Sequence, residues 1–471
     1  MLQVKILFFA VVLALSPSIF AQTQLPSFFN DGMVLQRNER VSIWGHDKPG
    51  TSIQITGSWG SKAEARSDEN GKWSLRLSTP DAGGPYKVII SGSDEIVFKD
   101  VLIGEVWLCS GQSNMAMPLK GFHDGASPIN GAAETIKNSR NKKIRLFKAD
   151  LQAGLMPLDD VSGNWTIAKP STVEDFSALA YHFGTGLNKI LDVPIGLIQT
   201  AWGGSSVEAW MDGQTLSLYG IKLPTEMPEK HKNVVPSILY NGMLHPYVPY
   251  SISGVIWYQG ESNVSEPEEY GKLFPALIKS WRNKWGNEHL PFYFVQLAPF
   301  GYKKDSSVNS AFLREAQMQT MLNLNDTGMV VTLDIGECNN IHPAEKKLIG
   351  ERLVSLALAN TYGVDNVLYS GPIYDTIVDR SGGKVQLGFK FGQGLGHAGS
   401  ELRGFKIAGK DRVFYKAQAR INSDRTIEVW SERVNEPLAV RYAFDNCTEG
   451  NLINGSGLPA SSFRTDNWKD E

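Results

Sequence analysis

Residues Gly104-Glu105-Val106-Trp107-Leu108-Cys109-Ser110-Gly111-Gln112-Ser113-Asn114-Met115 run an apolar stretch, Val106 to Cys109, straight into Ser-Gly-Gln-Ser-Asn. A buried strand that ends this way delivers a serine hydroxyl to the edge of a sheet, where it can attack a substrate. Ser113 is therefore the candidate nucleophile. A short motif of this kind also recurs by chance as a plain polar turn. Two further segments add weight. Trp257-Tyr258-Gln259-Gly260-Glu261-Ser262-Asn263 follows another apolar run, and Asn339-Asn340-Ile341-His342-Pro343 supplies a histidine far downstream.

Around these motifs, from about 101 to 360, apolar strands alternate with amphipathic helices. The strands are expected at Ile144–Phe147, Ile195–Gln199, Gly254–Tyr258, Phe292–Gln296 and Met329–Leu333. Helices are expected near Phe176–Ile190, Pro267–Trp285, Ala311–Leu322 and Ala344–Asn360; the first sets Phe176, Leu179, Ala180, Phe183, Leu187 and Ile190 on one face. Buried strands separated by helices imply a mostly parallel sheet covered on both sides. Chemistry in such sheets collects at the carboxyl ends of strands, which is where all the motifs lie.

On either side the texture is β. From 22 to 100, short alternating stretches such as Arg40–Gly45 and Trp73–Leu77 are punctuated by Lys48-Pro49-Gly50 and Glu69-Asn70-Gly71. From 361 to 471, strands are expected at Lys384–Phe391, Arg412–Ile421, Ile427–Ser431 and Leu438–Phe444. Both regions read as sandwich-like.

Residues 1–21 read as a secretory signal: Lys5, the apolar run Ile6–Leu15, and Ala21 before the cleavage point. That run is too short for an ordinary membrane span, so a periplasmic or extracellular protein without stable membrane insertion is expected. The 471 residues, 42% hydrophobic and 20% charged, suit a globular chain with a large core. A net charge of −3 gives no electrostatic basis for binding nucleic acid. The 12 Trp and 15 Tyr offer stacking surface for sugars, although most will fill the core. Three cysteines exclude a multi-bridge framework. Cys109 and Cys338 each precede a candidate catalytic residue by four positions, so they approach one another if those loops meet. Otherwise they serve as small buried hydrophobes.

A serine hydroxyl needs a base to accept its proton. Among eight histidines, His342 is chosen because it sits in a loop between the Met329–Leu333 strand and a helix, where it can face the active end of the sheet. His46, His289 and His397 fall in turns, His182 in a helix, and His245 outside a strand-end context. Acyl transfer also needs donors for the developing oxyanion. Gly203 and Gly204, after the Ile195–Gln199 strand, allow close backbone approach. Gln259 and Asn263 carry side-chain amides, and Ser113 adds its own N–H. Gln112 and Glu261 complete the candidate binding set.

The segments Cys109–Met115, Gln199–Trp210, Trp257–Asn263 and Asp334–Pro343 resemble the sialate O-acetylesterase family of the SGNH-hydrolase group. The resemblance extends over essentially the whole mature chain, from Leu25–Arg37 to Gly457–Asp466. It implies an α/β fold with an SGNH-hydrolase-like three-layer core and parallel sheet, flanked by N- and C-terminal β-sandwich-like regions. It also implies a serine esterase that removes acetyl groups from sugar hydroxyls without metal or cofactor. Ser113 is then nucleophile, His342 base, and Gly203 or Gly204 with Asn263 or Gln259 the oxyanion machinery.

One departure bears on the mechanism. Many relatives carry Asn-Asp-Ile-His-Pro, whereas this chain has Asn340 where the carboxylate stands. Asparagine can orient an imidazole but cannot stabilise imidazolium by charge. Asp334, closing its expected strand, is preferred as substitute over Glu337; a backbone carbonyl is the remaining alternative. Acetylated sialate is the leading substrate and acetylated xylan or pectin fragments the next. Arg314 and Lys120 are the candidate partners for a sialate carboxylate. A carbohydrate-binding relative that has lost catalysis is the competing reading: Asn340 favours it, and the intact Ser113 and His342 oppose it.

Overall fold

A computed structural model describes residues 22–122, 127–302, 309–448 and 450–468. The expected signal, 1–21, lies outside the described residues. The central sheet is built from β1 (Glu95–Gly111), β2 (Asn141–Lys148), β3 (Trp165–Ala168), β4 (Ile195–Ala201), β5 (Gly254–Tyr258), β6 (Phe292–Val295) and β7 (Thr327–Val330). Their order is β7-β6-β5-β1-β4-β2-β3. Every pairing is parallel except that of the edge strand β3 with β2.

Each face carries its own helices. On one side lie α2 (Ala178–Leu191) and α5 (Lys346–Asn360), packed on Trp107, Ile256 and Tyr258. On the other lie α3 (Pro267–Trp285) and α4 (Ser310–Asn323), packed on Leu108, Val255 and Trp257. Alternate residues of one strand thus enter different layers, and so the strands read as unbroken apolar runs. This is the expected three-layer core. Ile190 departs from expectation: it falls in the last turn of α2 and is 54% exposed. His182, by contrast, is buried where Gly350 of α5 crosses α2; a Cβ on Gly350 would lie 2.8 Å from the His182 Cβ.

β1 is unusually long. Its first half pairs antiparallel with Gly83–Ser91 of the N-terminal region, and its second half is the centre of the seven-stranded sheet. The boundary expected at 100/101 falls inside this strand, so the two regions share it. In the N-terminal region Arg40–His46 pairs antiparallel with Lys72–Ser78, and the latter alternates as expected, with Trp73, Leu75 and Leu77 inward.

The C-terminal region has two four-stranded antiparallel sheets. Tyr374 and Phe389 of one meet Phe463 of the other, the Tyr374 and Phe463 rings stacking at 4.8 Å. The single strand expected over Arg412–Ile421 is broken: Tyr415–Lys416 joins one sheet and Gln418–Ile421 the other. Among the described residues no helix is long and apolar enough to cross a membrane.

Candidate active site

The turn that carries Ser113 is made by close approach. Gly111 ends β1 at φ +135°, and a Cβ there would lie 2.2 Å from the Tyr258 carbonyl oxygen of β5, so only glycine fits. The chain then turns into the four-residue helix α1 (Ser113–Ala116), leaving Ser113 half-buried. Gln112 anchors this turn: its N–H donates to Tyr258 O (2.9 Å) and its Oε1 accepts the N–H groups of Gly260 (3.2 Å) and Ser262 (3.4 Å).

His342 arrives from the loop between β7 and α5. Its Nε2 lies 2.9 Å from Ser113 Oγ, across 229 positions of sequence. The Phe122 ring meets the imidazole edge-on, centroids 5.0 Å apart. The loop is held by short polar contacts. Asn340 Oδ1 accepts the His342 backbone N–H at 3.0 Å, Asn340 N–H donates to Glu337 O at 3.0 Å, and Glu337 Oε1 accepts the Ala344 N–H at 2.9 Å.

Neither substitute carboxylate reaches the imidazole. β7 ends at Val330 rather than Leu333, so Asp334 lies four residues beyond the strand instead of closing it. There it grips Arg352 of α5 through both oxygens, at 2.9 and 2.5 Å. Arg352 is buried, and its guanidinium is a stronger draw than a neutral ring. Glu337 serves the loop backbone and the Asn340 amide (3.4 Å).

The expected oxyanion and binding residues divide into two groups. Gly203 faces Ser113: a Cβ on it would stand 3.6 Å from Ser113 Cβ. Its N–H makes no hydrogen bond within the described residues, while its carbonyl accepts from Asn233 Nδ2 at 3.0 Å. Gly204 follows at φ +68° and completes this tight turn. Asn263 Oδ1 accepts from Val207 N–H (3.0 Å) and Gln259 Nε2 (2.7 Å), and its Nδ2 faces both oxygens of Glu208 at 3.1 Å.

Gln259, Gln112 and Glu261 are scaffold instead. Gln259 spends its amide on Ser205 O and Asn263. Glu261 is buried behind the turn on Asn114, with burial holding its carboxyl above the usual range against the pull of the Asn114 hydrogen bond and Lys346. The sequence alone does not mark Asn233, Glu208, Asn114 or Lys346 as site residues. Only the position of Asn114, next to Ser113, offered a signal.

The cysteines do not pair as the loop positions suggested. Cys338 bridges to Cys447 of the C-terminal region, Cα atoms 5.5 Å apart, and Cys109 is a buried free thiol whose pKa is raised by desolvation. Arg314 is fully buried, donating to Ser462 Oγ, Ser310 Oγ and the carbonyls of Ala443 and Asp445; it ties α4 to the C-terminal region. Lys120 pairs with Asp175 at 2.5 Å.

With this geometry in view, the likenesses to known proteins agree. The profile of the carbohydrate esterase family described as sialic acid-specific acetylesterase matches residues 103–359. Sialate O-acetylesterase of Homo sapiens is 31% identical over 397 residues, covering 74% of this chain and 73% of its own. The Mus musculus protein is 29% identical over 413 residues, covering 74% and 75%. The crystal structure of a carbohydrate acetylesterase from Xanthomonas citri superposes with a TM-score of 0.87 at 37% identity, over 95% of this chain and all of that one. The chain belongs to the sialic acid-specific acetylesterase family of carbohydrate esterases.

Proposed function

We propose that this carboxylic ester hydrolase acts through Ser113 as nucleophile and His342 as general base, releasing acetate from acetylated sugars outside the cytoplasm. The observation that carries the reading is the 2.9 Å approach of His342 Nε2 to Ser113 Oγ at the carboxyl end of a parallel sheet. Nε2 takes the hydroxyl proton as Oγ attacks the acetyl carbonyl. The same proton then passes to the departing sugar oxygen, and water repeats the sequence on the acyl-enzyme.

Three donors serve the oxyanion in this reading: the N–H groups of Ser113 and Gly203, and the Asn263 amide. An NH2 group has two protons; Glu208 takes one and aligns the other. The tight Gly203–Gly204 turn presents the backbone donor at no reorganisation cost. Export is supported by the amino-terminal segment and by the Cys338–Cys447 bridge, since structural disulfides persist in oxidising compartments.

Acetylated sialic acid is the first substrate, by likeness to the named relatives. A neutral acetylated polysaccharide fragment is the second, and a specific observation favours it. The two cations expected to meet a sialate carboxylate are engaged elsewhere, Arg314 in the interior and Lys120 on Asp175. Acetate release from acetylated sialic acid, xylan fragments and pectin fragments, with Ser113→Ala as control, tests both. Turnover of none of them rejects the esterase reading.

A further inference from the structure

Lys346 has no place in the acyl-transfer chemistry, yet it is wholly buried four residues beyond His342. Its Nζ donates to Asn114 Oδ1 at 2.5 Å and sits 5.4 Å above the centre of the Tyr258 ring. Asn114 is also fully buried and directly follows Ser113. Its Nδ2 donates to Glu261 Oε1 at 2.5 Å and to the carbonyl of Ile341 at 3.0 Å. One amide therefore fastens three segments that reach the site from different strands: the Ser113 turn, the Glu261 loop and the peptide that enters His342.

The partners leave the amide a single orientation. The carbonyl of Asn114 must face the donor Lys346, which turns both of its N–H groups toward the acceptors Glu261 and Ile341. A lysine is the only side chain of the three that can donate without also accepting. Burying such a cation beside a carboxylate is poor value for stability, because desolvation offsets the attraction and an apolar side chain of like volume would serve as well. What it supplies is a fixed geometry. Burial pulls Lys346 down to about 7, opposed by Glu261 and Glu337, and pushes Glu261 up, so the two groups depend on each other for their charge.

We propose that Lys346 is a positioning residue: through Asn114 and Glu261 it forms a buried joint that sets the His342 loop against the Ser113 turn. This rests on the reading of Ser113 and His342 as the catalytic pair. Without the joint, the Ile341 carbonyl loses its tether and Nε2 drifts from Oγ. A displacement of about 1 Å at such a contact is enough to cost on the order of a hundredfold in rate.

Two charge-balanced double variants of the full chain test it. Lys346→Met with Glu261→Gln removes the cation and its counter-charge together, so the amide loses its fixed orientation. Asn114→Asp with Glu261→Gln keeps the volume and net charge but removes the donor to the Ile341 carbonyl. For both, the melting temperature should stay within a few degrees of wild type. Turnover of a simple acetyl ester should fall at least tenfold in kcat with KM within threefold, and covalent labelling of Ser113 by a fluorophosphonate should slow in proportion. Wild-type kcat in either folded variant overturns the proposal. So does failure of both to fold, which would make the cluster a stability element. Ser113→Ala, run alongside, separates the two readings: residual turnover there rejects the catalytic pair itself, whereas a dead Ser113→Ala beside fully active double variants rejects only the joint.

Discussion

Asn340 holds the backbone of His342: its Oδ1 accepts the histidine N–H at 3.0 Å, while its Nδ2 faces the Glu337 carboxylate at 3.4 Å. An aspartate here would keep the first contact, because either of its oxygens can accept. It would turn the second into a repulsion between two carboxylates. The residue in this position thus shapes the loop that presents His342.

Asn340→Asp should therefore keep kcat within about threefold of wild type, with no gain, while Asn340→Ala, which lacks the acceptor, should lose about tenfold, on the order of 1.4 kcal/mol in the barrier. Steady-state kinetics on a simple acetyl ester distinguish them. A clear rise in kcat for Asn340→Asp would mean that this side chain acts on the imidazole.

Ser113→Ala should abolish turnover, by several orders of magnitude, and leave the melting temperature within a few degrees of wild type, since it removes only a half-buried hydroxyl and its contact with His342. Retention of more than about a tenth of the activity would remove Ser113 from the mechanism.

His342→Ala should be nearly as damaging, and the double variant with Ser113→Ala little worse than either alone, because the two act as one unit. Losses that multiply would place His342 outside the proton path of the serine.

Asp334→Asn should cost stability rather than chemistry. It breaks a two-point contact with buried Arg352, and the half-exposed carboxylate limits the penalty to about 1–2 kcal/mol. Thermal melts should shift while kcat stays near wild type. A fall of a hundredfold or more in kcat at unchanged stability would restore Asp334 to the catalytic group.

Stability should also decline in mild acid through His182. Burial, aided by Lys347 and opposed by Glu345, lowers its pKa to about 4 from 6.5. Above about 6.5 both folded and unfolded chains keep this ring neutral, and its contribution is complete. As pH falls from 6.5 toward 4, the unfolded chain takes up a proton that the folded one refuses, so stability is lost. His182→Gln should flatten that part of the melting-temperature profile; an unaltered slope would assign the acid sensitivity to other groups.

The sequence by itself determined the layered core and the places where chemistry gathers. A parallel sheet buried on both faces writes each strand as an apolar run, and the turn after each run must carry the polar residues. Ser113, Gly203, Asn263 and His342 all stood in such turns. Local pattern also marked α2, whose apolar positions repeat at helical spacing, and located α3, α4 and α5 between the apolar strands. It misplaced Ile190 on the buried face of α2, where the last turn leaves the core. What only the tertiary structure decided is who bonds with whom. Asp334 could not be assigned to Arg352, nor Cys338 to Cys447 across 109 residues, because a side chain's partner depends on segments brought together from elsewhere in the chain. The same holds for Lys346: in sequence it is one more charged residue at the head of a helix, and only burial beside the Tyr258 ring of β5 strips it of water and turns it onto Asn114.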